Sequence, residues 1–282
     1  MTLLASETTV ASASDPAAGE PAAFDGVAAH YDADFSHTAL GQLLRARLWS
    51  VLERHLPSDG ALLELGCGTG EDAVHLASRG AAVLATDQSA NMVAITAAKA
   101  AAAGLAMRTA ALDLAAPALA GDEVFAGAWS SFGPLNCVAD RRPLWRFLRS
   151  RVRPGGTVVL VVMAPLTPWD WLWFGMHGQP RTATRRLRAG RIANAGGGET
   201  VAVWYPSWRT LRREAGAAFD VQRVEGIGAV LPISEAGHLV ARFPRFFGLA
   251  ARIEGQIAGL PPWSLLCDHY ALVLRRTPLG PA

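Results

Sequence analysis

The stretch from Ala61 to Gly70 constrains this chain more than any other. Ala61-Leu62-Leu63-Glu64-Leu65 is a short apolar run of the kind that forms a buried parallel strand, and Gly66-Cys67-Gly68-Thr69-Gly70 follows without a spacer. Glu71 to Arg79 then reads as a helix. Glycines at alternate positions remove side chains where the backbone turns from strand into helix, so a ligand can lie against bare main chain at a helix N-terminus. A second apolar run, Ala82 to Thr86, reads as the next strand and delivers Asp87, seventeen positions past Gly70. A carboxylate there can take both hydroxyls of a ribose. Strand, loop, helix, strand and acid in this order describe a nucleoside site.

The spacing separates two kinds of nucleoside protein. A dinucleotide loop is written Gly-x-Gly-x-x-Gly, with its third glycine inside the helix; here that position is Glu71, and the third glycine falls one residue early at Gly70. A pyrophosphate would gain nothing from Glu64 beside the loop. The run Leu63-Glu64-Leu65-Gly66-Cys67-Gly68-Thr69-Gly70 resembles the first motif of the class I S-adenosylmethionine-dependent methyltransferases, small-molecule type. That resemblance implies an α/β, doubly wound fold: a seven-stranded, mostly parallel sheet with an antiparallel last strand, carrying helical or irregular lid insertions. It implies S-adenosylmethionine as cofactor. By the same match Glu64 helps hold the cofactor's amino group, Gly66, Cys67, Gly68 and Gly70 pass its methionine part, and Asp87, with Gln88 beside it, binds the ribose.

The resemblance extends along the chain. Phe24-Asp25-Gly26-Val27-Ala28-Ala29-His30-Tyr31-Asp32 is similar to the short helix ahead of the core in many small-molecule methyltransferases, where a tyrosine closes over the cofactor; Tyr31 is that residue, or else a packing tyrosine. Met92 belongs to the cofactor set on a helix from Ala90 to Ala103, capped by Ser89 and ended by Gly104. A third strand, Ala106 to Ala111, leads to Asp113 and Leu114, which match the adenine end of the site, although an aspartate after a strand is also a common turn residue. Val124 to Ser130 is the fourth strand, and Ser130 and Phe132 at its end complete the cofactor set. Ser131 stands where related sequences often carry an amide.

The expected organisation is a disordered tail over 1–20, a cofactor-binding core over 21–163, a lid insertion over 164–203, further core over 204–227, a second lid over 228–264, and the last strand and tail over 265–282. Leu40 to Leu56 has apolar residues at helical spacing, and Asp140 to Val152 forms another helix. Arg153-Pro154-Gly155-Gly156 turns into a fifth strand, Thr157 to Met163. The first insertion is irregular, rich in tryptophan and then in arginine over 181–191. Trp208 to Ala217 and Phe219 to Gly226 supply a core helix and the sixth strand. Leu231 to Leu260 is amphipathic and helical, divided by Pro244; His269 to Arg275 closes the sheet.

Hydrophobic residues make up 51% of the 282, which suffices for one large core with lids. The 26 basic and 24 acidic residues nearly cancel, so no nucleic-acid partner is expected; Lys99 is the only lysine. Cys67, Cys137 and Cys267 are widely spaced and lack zinc-ligand spacing, so no metal is expected and the setting is a reducing cytoplasm. No stretch is long and apolar enough to span a membrane, while Arg242 and Arg245 in the second insertion could meet lipid headgroups.

The expected function is methyl transfer to a small, apolar or aromatic acceptor, at oxygen or alternatively at nitrogen or carbon, because two apolar insertions at one sheet edge would wall a greasy pocket. Positioning supplies much of the rate, and a base matters only when the acceptor must lose a proton. His269, at the start of the antiparallel strand, and His177, in the first lid, lead the candidate bases, which also include Tyr205, His238 and Asp170. A structural histidine held by Asp268 is the other reading of His269, and a solvated one that of His177. Two competing functions are an NAD(P)-dependent oxidoreductase, disfavoured by Glu64 and the glycine spacing, and a non-catalytic protein that binds a lipid or partner through its lids.

Overall fold

Alternation along the first strand decides how the molecule is layered. In β1 (Ala61–Leu65), Leu63 and Leu65 point to one side and Leu62 and Glu64 to the other, and all four are buried, so the strand has to be covered on both faces. The computed structural model describes residues 24–188, 190–196 and 199–278; the expected tail at 1–20 lies outside the described residues. β1 pairs in parallel with β2 (Ala82–Asp87) and with β4 (Phe125–Ser130), while β3 (Arg108–Ala111) extends the sheet beyond β2. β5 (Val152–Met163) runs parallel to β4. Leaving β6 and β7 to the first insertion, the sheet is completed by β8 (Phe219–Ile227) and by β9 (His269–Arg276), which lies antiparallel between β5 and β8. The seven-stranded order is β3-β2-β1-β4-β5-β9-β8, the mostly parallel sheet with an antiparallel last strand that was expected.

Helix α1 (Ala39–His55) starts where Thr38 Oγ1 accepts from Gly41 N at 3.0 Å, and its Leu40, Leu44, Leu48, Val51 and Leu52 cover the face of the sheet that carries Leu62, Trp129 and Val159. α2 (Glu71–Ser78) packs on the same side through Ala73 and Leu76, and α3 (Ala90–Ala102) follows β2. The opposite face, with Leu63, Leu65, Val158 and Leu160, is covered by Leu144 and Leu148 of α4 (Arg142–Arg151). α1 also buries two charges within its apolar stripe, Arg45 and Arg47. Arg47 Nη2 donates to Glu225 Oε2 of β8 at 2.5 Å, which ties the helix to the far end of the sheet.

Three boundaries differ from expectation for local reasons. The third strand begins at Arg108 because Met107 N turns back to Leu105 O. The fifth strand begins at Val152, since Val152 already pairs with Phe125 before the Arg-Pro-Gly-Gly irregularity restores register at Gly127 and Thr157. The first insertion is more regular than expected: α5 (Pro168–Met176), α6 (Pro180–Ala183) and a hairpin of β6 (Arg191–Gly196) with β7 (Glu199–Val203). Pro168 does not obstruct α5 because it occupies the first helical position, where an amide hydrogen would lack a partner anyway. A core helix, α7 (Trp208–Ala215), precedes β8. The second insertion forms α8 (His238–Arg242) and α9 (Pro244–Ile257), divided at Pro244.

Candidate active site

The strand order reverses between β1 and β4, so their C-terminal ends open onto the crevice where ligands bind in open parallel sheets. Glu64 sits there, opposite Trp129 across the β1–β4 ladder. Its Oε1 accepts from Trp129 Nε1 at 2.9 Å, while its buried Oε2 has no partner among the described residues. Burial, with the nearby Asp72 carboxylate adding to it, pushes the Glu64 carboxyl well above the usual range. A cationic group arriving at Oε2 would relieve both the missing hydrogen bond and the unpaired charge.

Arg45 of α1 is the complement that sequence reasoning missed. It is buried, with Nη1 donating to Asp72 Oδ1 at 2.8 Å and Nη2 to Ser36 Oγ at 2.9 Å, and its Nε lacks a partner. Burial opposes its charge, but Asp72, Tyr31 and Glu71 together outweigh this and raise its pKa. A carboxylate and a guanidinium near enough to interact, each with one buried atom unpartnered among the described residues, suit the ammonium and carboxylate of an amino acid. The only signal in the sequence was an arginine inside an apolar helical stripe.

The three glycines divide their work. A Cβ on Gly66 would stand 2.4 Å from Pro134 Cγ and one on Gly70 2.6 Å from Thr96 Cγ2, so beyond their left-handed φ of 75° and 81° these two are glycine because the protein packs against them. A Cβ on Gly68 would meet nothing within 4 Å, and its φ of 52° is left-handed. Of the three glycines, only Gly68 has open space where a side chain would stand. The loop is braced from β2: Asp87 Oδ2 accepts from Gly68 N at 2.8 Å, and Thr86 O accepts from the amides of Gly66 and Cys67, each at 2.8 Å. Asp87 Oδ1 accepts from Ser89 N at 2.9 Å, and burial raises its carboxyl against these bonds.

Around this cradle an N-terminal segment is strapped down. Thr69 Oγ1 donates to Asp32 Oδ1 at 2.6 Å, and Lys99, the only lysine, pairs with both Asp32 and Glu71 at 2.5 Å. Asp25 accepts from Ser89 Oγ. Where a short helix was expected over Phe24 to Asp32, residues 24–30 form turns, and a π-helical turn follows at Asp32–Ser36. Half-buried Tyr31 packs on Phe35 with ring centroids 5.9 Å apart, Phe35 on Phe132 at 5.5 Å, and Phe132 on His269 at 5.2 Å. Phe132 holds a left-handed φ of 52°, a strained conformation of the kind concentrated at functional sites.

The other residues singled out from sequence divide. His269 pairs with Met163 and Ile227 at the strand ends, on the edge that carries the loop, and its Nδ1 lies 3.0 Å from Asp268 Oδ2. Met92 and Leu114 are buried, and Gln88 is exposed. Asp113 Oδ1 accepts from Ala115 N at 2.8 Å, the turn geometry that was its other reading. Two expectations need amending at the side-chain level. The Cys67 thiol is buried, 3.5 Å from both Thr96 Oγ1 and Gly68 O, which leaves its main chain as the part nearer a ligand. Ser130 Oγ is spent on Leu65 O at 2.7 Å, stitching β4 to β1, whereas the buried hydroxyl of Ser131 has no partner among the described residues. His177 stands apart: it is exposed at the end of α5, with Nδ1 2.7 Å from Trp173 O and its ring on Trp173, and touches none of the cluster.

Residues 62–156 match a family model described as a methyltransferase domain. The chain carries a methyltransferase domain of the class I, S-adenosylmethionine-dependent kind, and S-adenosylmethionine is the cofactor of that class. Over 143 residues it is 32% identical to a tRNA 5-carboxymethoxyuridine methyltransferase of Escherichia coli, a match covering 49% of this chain and 55% of that protein. The chain thus spans about half the length of the curated relative it matches. Two solved structures share the fold. The CcbJ methyltransferase from Streptomyces caelestis superposes with a TM-score of 0.60 at 18% identity, covering 92% of this chain and 99% of that one. An S-adenosylmethionine-dependent methyltransferase from Clostridium acetobutylicum gives 0.57 at 11% identity, covering 89% and 98%.

Proposed function

We propose that the chain transfers a methyl group from S-adenosylmethionine to a small, apolar or aromatic acceptor at oxygen, with His269 taking the acceptor's proton. The observation that carries this reading is the pair of buried atoms unpartnered among the described residues, Glu64 Oε2 on β1 and Arg45 Nε on α1, which suits the amino-acid part of the cofactor. Glu64 would hold the ammonium group, Arg45 the carboxylate, Asp87 the ribose hydroxyls, and Asp113 with Leu114 the adenine. Gly68 leaves room for the backbone to approach, and Tyr31 covers the site from the strap. When bound, S-adenosylmethionine supplies an electrophilic methyl group on a sulfonium centre.

On the acceptor side, Phe132 and His269 support an aromatic or apolar substrate, since the Phe132 ring meets His269 edge-on. Asp268 Oδ2 lies 3.0 Å from His269 Nδ1 without forming a hydrogen bond, an ionic contact that would favour a proton on Nδ1 and leave Nε2 to accept a hydroxyl proton. The near balance of charge, +2 overall, favours a small acceptor over RNA.

Calorimetry with S-adenosylmethionine and with NADH tests the cofactor; tighter binding of NADH would reverse the reading. Mass spectrometry of a panel of phenols, alcohols, amines and unmodified tRNA then tests the acceptor. Methylated tRNA without any methylated small molecule would replace the acceptor class and leave the cofactor site standing.

A further inference from the structure

The second insertion has an outer face that the methyl-transfer reading does not use. On α9, Phe246, Leu249 and Ile253 are spaced three and four apart, so they share one face, and they are 66%, 57% and 45% exposed. Phe243, at the junction with α8, is exposed beside them. Such a row normally carries compensating charges of both signs. Here the exposed charges on α8 and α9 are Arg242, Arg245 and Arg252, and none of the three forms an ion pair among the described residues. The one acid of the two helices, Glu254, is fully buried, its oxygens accepting from Gly228 N at 2.8 Å and Val230 N at 3.0 Å. The carboxylate is consumed in fastening α9 to the turn after β8. What remains outside carries no acid: three arginines, His238 and Gln256, and the apolar row.

We infer that the outer face of α8 and α9 docks on an anionic lipid surface, with the apolar row entering the headgroup boundary and the arginines meeting lipid phosphates. An interfacial helix combines basic residues with an exposed Phe and Leu face in this way. A second copy of the chain fits less well, because a two-fold interface brings the same patch against itself and would set arginine against arginine with no acid to separate them. RNA would use the arginines but has no use for Leu249 and Ile253. The surface stands independently of the acceptor's identity, and docking needs neither cofactor nor turnover.

The test is co-sedimentation of the full chain with phosphatidylcholine vesicles made with and without phosphatidylglycerol. The chain should pellet with the mixed vesicles, far less with phosphatidylcholine alone, and progressively less as salt rises. Replacing Arg245→Gln or Arg252→Gln should each lower the partition coefficient about fivefold. Phe246→Ser combined with Leu249→Ser should abolish pelleting while far-ultraviolet circular dichroism stays unchanged. The inference is overturned if the wild-type chain ignores mixed vesicles, or if neither set of variants alters pelleting. It is equally overturned if the arginine variants lose tRNA binding while vesicles bind nothing, or if light scattering shows a dimer that the Phe246 and Leu249 changes convert to a monomer.

Discussion

Arg186 Nη2 donates to Asp268 Oδ1 at 2.6 Å, and both side chains are buried. Arg186 lies between β5 and β6 and Asp268 immediately precedes His269, so this bond joins that intervening segment to the strand that carries the candidate base. Arg186 Nε also donates to Asp170 Oδ2 of α5 at 2.9 Å. Burial works against the Asp268 charge, but Arg186 and His269 outweigh it and hold the carboxyl below the usual range.

Removing the guanidinium should therefore be costly. Arg186→Gln leaves Asp268 with only His269 at 3.0 Å and Asp170 with only Arg185 at 3.4 Å, the loss of a partner worth about 3–5 kcal/mol in comparable buried pairs. Urea denaturation at neutral pH should show that loss. The depressed Asp268 value means its contribution is present above the ordinary aspartate range and is lost as pH falls through the folded value. The difference between variant and wild type should accordingly shrink in acid, where the variant's aspartates protonate readily. A pH-independent difference would locate the cost in packing instead.

His269→Ala separates base from scaffold. As a base, its loss should lower the rate on an alcohol acceptor by about 10²–10⁴ while calorimetry finds the affinity for S-adenosylmethionine unchanged. An acidic phenol, which arrives already ionised, should lose much less. Equal losses on both acceptors, or a full rate with intact folding, would leave His269 as a packing partner of Phe132.

Glu64→Gln should act in opposite directions on folding and on binding. The Glu64 carboxyl is raised by burial, so between the ordinary glutamate value and the folded one the native state holds more protons than the unfolded chain. Stability of the cofactor-free wild type therefore falls as pH rises through that window. The glutamine variant escapes this fall, and its melting temperature should exceed the wild type's at neutral pH and match it in acid. Affinity for S-adenosylmethionine should drop by about 1–3 kcal/mol through loss of a charged hydrogen bond. Unaltered affinity would mean that Glu64 does not face the cofactor.

Alanine in the loop should sort the glycines. Gly66→Ala and Gly70→Ala force a Cβ to within 3 Å of Pro134 and Thr96, and thermal melts should show both destabilised by more than the left-handed backbone cost of about 1–2 kcal/mol. Gly68→Ala meets open space and should lose about that backbone cost alone while weakening cofactor binding most. Equal destabilisation of all three would contradict the division of roles.

Glu64, Gly68 and Asp87 were legible because one strand, one turn and the next strand bring them together within a short span of chain. The same local reading placed His269 at the right edge of the sheet, since the start of an antiparallel strand must lie beside the ends of its parallel neighbours. It could not see Arg45. An arginine between Leu44 and Leu48 signals that a buried charge needs a partner, but nothing local names Asp72 as that partner. His177 looked equivalent to His269 in the sequence, and only the course of α5 put it on the outside.

Short-range order in the chain was enough to specify the crossover, the glycine turn and the acid after the second strand, because alternation and turn chemistry act between near neighbours. Tertiary structure decided which charges meet: Arg45 with Asp72, Lys99 with Asp32 and Glu71, Arg186 with Asp268. It also decided that two of the three loop glycines serve packing against Pro134 and Thr96. The reason is physical: desolvation and Coulomb pairing depend on separations between residues far apart in the chain, and those separations exist only once the sheet has closed.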